Sequence, residues 1–226
     1  MVRGNNWCKG LDEKETQMTE QIEQRSDAWF QARLGKVTAS KVADVIAKTR
    51  TGYSSSRDNY MAQLICERLT GQQGESFTNS AMQWGVDTEP LARSAYESQN
   101  ELVEEVGFIP HPRIEMSGAS PDGFVGLFGM LEIKCPNTAT HLETLLTQSV
   151  PTKYITQMQW QMACAQRQWC DFVSYDPRLP QDLQLFVKRV EFDQEYVAML
   201  EEEVTKFLAE LDDKLTKLKN LRKPNV

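Results

Sequence analysis

Histidine is scarce in this 226-residue chain, with only His111 and His141, and the five cysteines never form a C-x-x-C pair. Neither histidine sits at a ligand-like spacing from Cys8, Cys66, Cys135, Cys164 or Cys170, which argues against a zinc centre. An odd, scattered cysteine set offers no disulfide framework and predicts a thiol-reduced, cytoplasmic protein. Long apolar runs are also missing. None approaches the roughly 20 residues that a membrane helix needs, so no membrane segment is expected. The opening MVRGNNWCKGLDEKETQ has no apolar stretch of the secretory type, which predicts that the protein stays where it is made.

What remains is an ordinary globular composition, 40% hydrophobic and 25% charged, at a length that suits one large domain. We expect a flexible, polar N-terminal arm over residues 1–22 and a single domain over 23–226.

Net charge is −7, which by itself argues against a nucleic-acid partner. Its distribution argues the other way. Residues 25–58 carry seven basic side chains (Arg25, Arg33, Lys36, Lys41, Lys48, Arg50, Arg57) against three acids, and residues 67–132 carry eleven acids against three arginines. A site that needs both signs would explain the segregation; two solvated faces are the alternative.

The helical and extended periods change along the chain. DAWFQARLG after Ser26 predicts an N-capped helix stopped by Gly35, and TASKVADVIAK (38–48) predicts a second one. TRTGYSSSR is expected to be a loop, DNYMAQLICERLT a helix ending at Gly71, and 80–99 a helical region either kinked at Pro90 or beginning again near Glu89. From 102 to 134 short segments rich in Val, Ile and Phe, bounded by Gly and Pro, predict strands. Helices are expected at 138–148 and 152–167, strands at 169–175 and 183–191, and a last amphipathic helix at 193–221 that packs on its own domain. Helices, strands and helices in this order give an α/β or α+β class.

The stretch SPDGFVGLFGMLEIKCP (120–136) places three charges in a predicted hairpin. Side chains alternate along a strand, so Glu132 and Lys134 share a side while Ile133 faces the core, and the hairpin brings Asp122 alongside them. Two carboxylates at short range repel unless a proton or cation lies between them, and an oxygen donor set suits Mg²⁺ or Mn²⁺. Glu89 could approach from the helical layer. A lysine beside such a cluster suits metal-assisted phosphodiester hydrolysis. As bare spacing D-x9-E-x-K is a weak signal, and a partly buried Glu132–Lys134 ion pair is the alternative.

Pro121-Asp122 followed by Glu132-Ile133-Lys134 matches the PD-(D/E)xK nuclease signature in order, spacing and strand context. The chain around it, through DAWFQARLGKVTAS (27–40), MQWGVDTE (82–89), ASPDG (119–123), LEIKCP (131–136), YITQMQ (154–159) and YDPR (175–178), resembles the lambda exonuclease family of phage recombination nucleases, the alkaline exonucleases and YqaJ-like viral recombinases. The resemblance spans residues 24–215. It implies a restriction-endonuclease-like α/β core, a mixed central sheet flanked by helices. It implies Mg²⁺-dependent 5′ to 3′ digestion of one strand of linear double-stranded DNA, with Mn²⁺ as a substitute, release of 5′-mononucleotides and a 3′ single-stranded tail. A ring-shaped homotrimer, a 5′-phosphorylated DNA end, a phage single-strand annealing protein and the cytoplasm of a bacterial host complete what it implies.

By the same resemblance Asp122, Glu132 and the Ile133 carbonyl bind metal, Glu89 serves a second metal, Lys134 positions the attacking water, and Gln157 lies near the metals. Arg33 would hold the 5′-phosphate with Ser40 and Ser120, Thr38 would line that pocket, Met82 would split the end base pair, and Arg50 would track the strand. Ser80 and Thr140 depart from the pattern, being uncharged where a family member has basic side chains near the DNA. That puts processive grip in doubt more than cleavage. The expected arm has no clear counterpart. Trp29 and Trp84 are expected to be core residues. Two rivals stand: an endonuclease on the same fold, which would cut closed circles, and a catalytically silent DNA-end binding module, against which the complete Asp122, Glu132, Lys134 set argues.

Overall fold

Strand pairing between distant segments, more than helix propensity, decides where the elements fall. The computed structural model describes residues 23–74 and 79–221, and the expected arm (1–22) lies outside them. Ser26 caps α1 (Asp27–Arg33) by accepting from the Trp29 amide at 3.2 Å, and Gly35 at φ 67° turns the chain, as the sequence suggests.

Beyond it the single helix expected over 38–48 does not form. Val37–Thr38 is instead a strand, β1, followed by a 3-10 turn at Ala39–Lys41 and a short α2 (Val42–Ile46). The reason is pairing: Val37 and Thr38 lie parallel to Ser117 and Gly118, which draws Thr38 into the extended region. Similarly, the expected loop holds a small hairpin, β2 (Lys48–Thr49) and β3 (Gly52–Tyr53), tied to the last helix by Tyr53 donating to Glu203 at 2.7 Å.

Helix α3 (Ser55–Thr70) ends at Gly71 in the left-handed region, as expected. Helix α4 (Ser80–Glu97), capped by Asn79, runs through Pro90 without interruption. Then come β4 (Val103–Glu104), β5 (Ile109–Pro110), β6 (Ser117–Ala119), β7 (Gly123–Val125), β8 (Gly129–Lys134), α5 (Thr138–Thr147), α6 (Thr152–Ala165), β9 (Trp169–Tyr175), β10 (Leu185–Glu191) and α7 (Gln194–Leu221). The segment 102–110 is divided between two sheets: β4 pairs with β7, and β5 with β6 in another sheet.

Among the described residues, the largest sheet has the order β10-β9-β8-β7-β4 and is mixed. Strands β8 and β9 run parallel, joined by the α5–α6 crossover, while the other neighbours are antiparallel. Its two faces are both covered. Leu131, Ile133 and Val173 pack with Ala92 and Tyr96 of α4, and Met130, Phe172 and Phe186 pack with Met158 and Met162 of α6. A third cluster joins α2, α3 and α7 around Tyr60, Leu64, Val204 and Phe207, so the stripe of α7 packs on its own fold, as expected. This is the expected α/β class, a mixed sheet flanked by helices.

Candidate active site

The β7–β8 hairpin builds the centre of the site. Gly123 pairs with Leu131, and just before it the Asp122 amide donates to the Leu131 carbonyl at 3.2 Å. The Asp122 side chain then turns toward the next residue of β8, and its Oδ2 accepts from the Ile133 amide at 2.6 Å. Amide and carbonyl of one strand residue point the same way, so the Ile133 carbonyl also faces the Asp122 side, beyond the point where β7 begins. The expected hairpin and its register therefore bring Asp122, Glu132 and Ile133 together.

Alternation along β8 puts Ile133 against α4 and Glu132 against α6. Both sides are interior, and Glu132 is the more deeply buried of the two at 1% exposure. An ionised carboxylate at such a depth needs donors. It has three: Gln157 at 2.7 Å and the Lys134 ammonium on Oε1, and Gln161 at 2.6 Å on Oε2. Gln157 thus lies against Glu132, one of the carboxylates that the resemblance assigns to the metal. Gln161 escaped the sequence reading, although its spacing of four from Gln157 puts both on one helix face.

Charge around the pair is unbalanced. Burial, with Glu132 and Glu89 nearby, pushes the Asp122 carboxyl well above the usual carboxylate range. Burial works against a charged Lys134, but Glu132 and Asp122 outweigh it and hold the lysine above its ordinary value, as an ammonium. A site that raises one acid and keeps its amine charged is short of positive charge.

The candidate ligands are all oxygens, and Asp122, Glu132 and the Ile133 carbonyl could supply them to a hard divalent cation. Glu89 is differently placed. Its Oε2 takes Arg25 at 2.5 Å and its Oε1 takes Arg93 at 3.3 Å, and among the described residues no three His, Cys, Asp or Glu side chains form a metal-binding group on their own. Arg25 and Arg93 are further residues that the sequence reading missed.

A cation lies next to this hairpin. Arg33 donates to the Ser120 hydroxyl at 3.0 Å, two residues before Asp122, and its guanidinium sits 4.0 Å from the centre of the Trp29 ring, whose Nε1 donates to the same hydroxyl at 3.0 Å. Burial lowers Arg33 to about 10, so it stays charged at neutral pH. Among the described residues it forms no ion pair. Trp29 is consequently half-buried under an arginine and is not a core residue. Trp84 is the same, with Arg178 at 4.4 Å from its ring centre. Thr38, paired with Gly118, is buried and lies two residues from the Ser120 position, with Ser40 exposed in the following turn. Arg50 at the tip of the β2–β3 hairpin and Met82 in the first turn of α4 are exposed, and neither contacts the carboxylates.

Fold and site together define an α/β protein of the nuclease type. The comparisons narrow this. The model of the YqaJ-like viral recombinase domain matches residues 28–168, and the chain belongs to that family. The chain is similar to an alkaline exonuclease, LHK-Exo, from Laribacter hongkongensis, at 56% identity over 86% of this chain and 97% of that one, with a TM-score of 0.80. The same enzyme in complex with dAMP matches at a TM-score of 0.81 and the same identity and coverage. A phage-related exonuclease from Haemophilus somnus 129PT shares the fold at 15% identity and a TM-score of 0.67, over 81% of this chain and 96% of that one. No curated protein matches the chain. The family and the 56% relative support nuclease function.

Proposed function

We propose that the protein is a Mg²⁺-dependent exonuclease that degrades one strand of linear double-stranded DNA from a 5′-phosphorylated end, releasing 5′-mononucleotides and leaving 3′ single-stranded tails for recombination by strand annealing. The observation that carries this reading is the placement of Arg33, a cation without an acidic partner among the described residues, on Ser120, two residues from the carboxylate that begins the site. A terminal phosphate on Arg33 would set the adjoining phosphodiester near Asp122 and Glu132. The complex of the Laribacter enzyme with dAMP is in keeping with a mononucleotide product.

Asp122, Glu132 and the Ile133 carbonyl would hold the cation, which supplies a more acidic water and neutralises charge on the phosphoryl oxygens. Lys134, paired with Glu132 on the same strand, orients the attacking water. Gln157 holds Glu132 in place. Arg33, Trp29 and Ser120 anchor the phosphate, with Thr38 and Ser40 lining the same pocket. Exposed Met82 is free to wedge the end base pair, and Arg50 to track the strand. Glu89 serves a second cation only when Arg25 and Arg93 release it. Mn²⁺ would substitute for Mg²⁺, a homotrimer would encircle the duplex, and a phage single-strand annealing protein would receive the tail in the bacterial cytoplasm.

The test uses a blunt linear duplex with a 5′-phosphate and a 3′ label on one strand, beside a covalently closed circle, with Mg²⁺ or EDTA. Mg²⁺-dependent shortening of the labelled strand from its 5′ end, with the circle intact, is the expected result. A nicked circle would make the protein an endonuclease, and no cleavage of either would make it a binding module.

A further inference from the structure

Glu132 has little acceptor capacity left. A carboxylate oxygen accepts about two hydrogen bonds. Oε1 receives Gln157 and the Lys134 ammonium and is full. Oε2 receives Gln161 at 2.6 Å and, among the described residues, nothing else. One lone pair on one oxygen is therefore open, and Gln161 sets its direction.

Gln161 is fully buried at 0% exposure, and its own carbonyl oxygen has no hydrogen-bond partner among the described residues. Only one orientation of the amide can serve Glu132, since a carboxylate accepts and does not donate. Burying an amide with its oxygen unpaired is unfavourable, so the contribution of this side chain lies in what its nitrogen does to Glu132. Gln157 and Gln161 stand four residues apart on α6 and grip opposite oxygens, which fixes the plane of the carboxylate as well as its position.

We propose that Gln161 is a positioning residue that aims the single open lone pair of Glu132 and thereby makes the site select Mg²⁺ over Ca²⁺. This rests on the reading of the cluster as a cation site. The physical basis is rigidity. Mg²⁺ demands a near-ideal octahedron with oxygens at about 2.0–2.1 Å, whereas Ca²⁺ accepts six to eight oxygens at about 2.3–2.6 Å in flexible arrangements. Without Gln161 the carboxylate pivots about Oε1, which Lys134 and Gln157 still hold, and both lone pairs of Oε2 are open. The terminal torsion of a glutamate is soft enough to allow this. A loosened ligand penalises Mg²⁺ more than Ca²⁺.

Isothermal titration of MgCl₂ and of CaCl₂ into the DNA-free 226-residue chain tests this in wild type, Gln161→Met and Gln157→Met. Methionine keeps the length of the side chain and removes the donor. Gln161→Met should weaken Mg²⁺ binding by about tenfold, the scale of losing a group that orients a ligand, and Ca²⁺ binding by clearly less, so that the Ca²⁺-to-Mg²⁺ affinity ratio rises. Gln157→Met should raise that ratio by less than Gln161→Met does, because Lys134 still occupies Oε1 while nothing else occupies Oε2 among the described residues. If both affinities of Gln161→Met fall in step with its unfolding temperature and the ratio stays constant, Gln161 is only structural and the proposal fails. Should Gln161→Met not fold, Gln161→Asn, an amide one methylene too short for Oε2, must raise the ratio, and a wild-type ratio there also overturns the proposal. A wild-type chain that binds neither ion would instead sink the cation-site reading itself.

Discussion

Lys134 and Arg33 are the two cations to which the proposed function gives different work. Lys134 is committed to Glu132 in the same strand, and its charge is maintained by Glu132 and Asp122 against burial. Lys134→Ala should therefore leave the fold and DNA binding in place while lowering turnover by roughly 10²- to 10³-fold, the scale of removing one preorganised charged group. Single-turnover kinetics with a DNA-affinity measurement separate the two effects, and wild-type rates would remove Lys134 from the mechanism. Arg33 sits over the Trp29 ring while it donates to Ser120, contacts that suit a guanidinium better than an ammonium. Arg33→Lys should lose most of the preference for a 5′-phosphorylated over a 5′-hydroxyl end, by about tenfold or more, with little change in thermal stability. A retained preference would move the anchor elsewhere.

At the scale of elements, β6 shows why close approach matters more than propensity. A Cβ on Gly118 would lie 2.5 Å from the Ile109 carbonyl oxygen and 2.3 Å from the Phe108 ring, and the carbonyl belongs to the paired strand β5. Gly118→Ala should cost about 1–3 kcal/mol in urea unfolding, the range for forced overpacking, and should disturb Ser120 two residues on. An unaltered midpoint would mean that the three-stranded sheet yields more easily than its contacts suggest. The start of α5 carries a pH-dependent contact. Burial opposes ionisation of Asp176, yet Arg178 and Thr138 outweigh it and lower its pKa from 3.8 to about 2. A depressed folded-state value contributes stability above the unfolded value and loses it as pH falls toward the folded one, so the window runs from about pH 4 down to about pH 2. Asp176→Asn should be less stable than wild type by up to about 2 kcal/mol at pH 7, less whatever solvent screening at the half-exposed Arg178 removes. That gap should shrink through the window, and a gap independent of pH would assign the stability to packing.

The same scale explains what was legible in the sequence. The β7–β8 hairpin is local, and D-x9-E-x-K already contains its register. Thr38, by contrast, sits in a strand because of Gly118, eighty residues away, and no window around 38–48 carries that information. Gln161 was readable in principle from its spacing to Gln157. The pairing of Glu89 with Arg93 was readable in the same way, four residues apart on α4, but its pairing with Arg25 was not, because Arg25 meets it only when the segment before α1 is laid against α4.

Over the whole molecule, the segregated charge is smaller than the sequence suggests. Of the basic side chains in 25–58, Arg25, Lys41, Lys48 and Arg57 are ion-paired to Glu89, Asp44, Glu203 and Glu210, which leaves Arg33, Lys36 and Arg50 without an acidic partner among the described residues. With a net charge of −7 beneath them, these three would be the segment's available phosphate contacts in the proposed complex. One chain gripping a duplex through them would release about three counterions and give a log–log salt slope near −3. Three chains closed around the same duplex would multiply those contacts and steepen the slope to about −8. The proposed ring therefore makes two linked expectations: a sedimentation mass of three times 25.9 kDa, and a slope on linear duplex in EDTA well beyond that of one chain. A single-chain mass with a slope near −3 would eliminate the ring, and with it the topological reason for sparing closed circles, leaving the Arg33 anchor alone to account for any dependence on DNA ends.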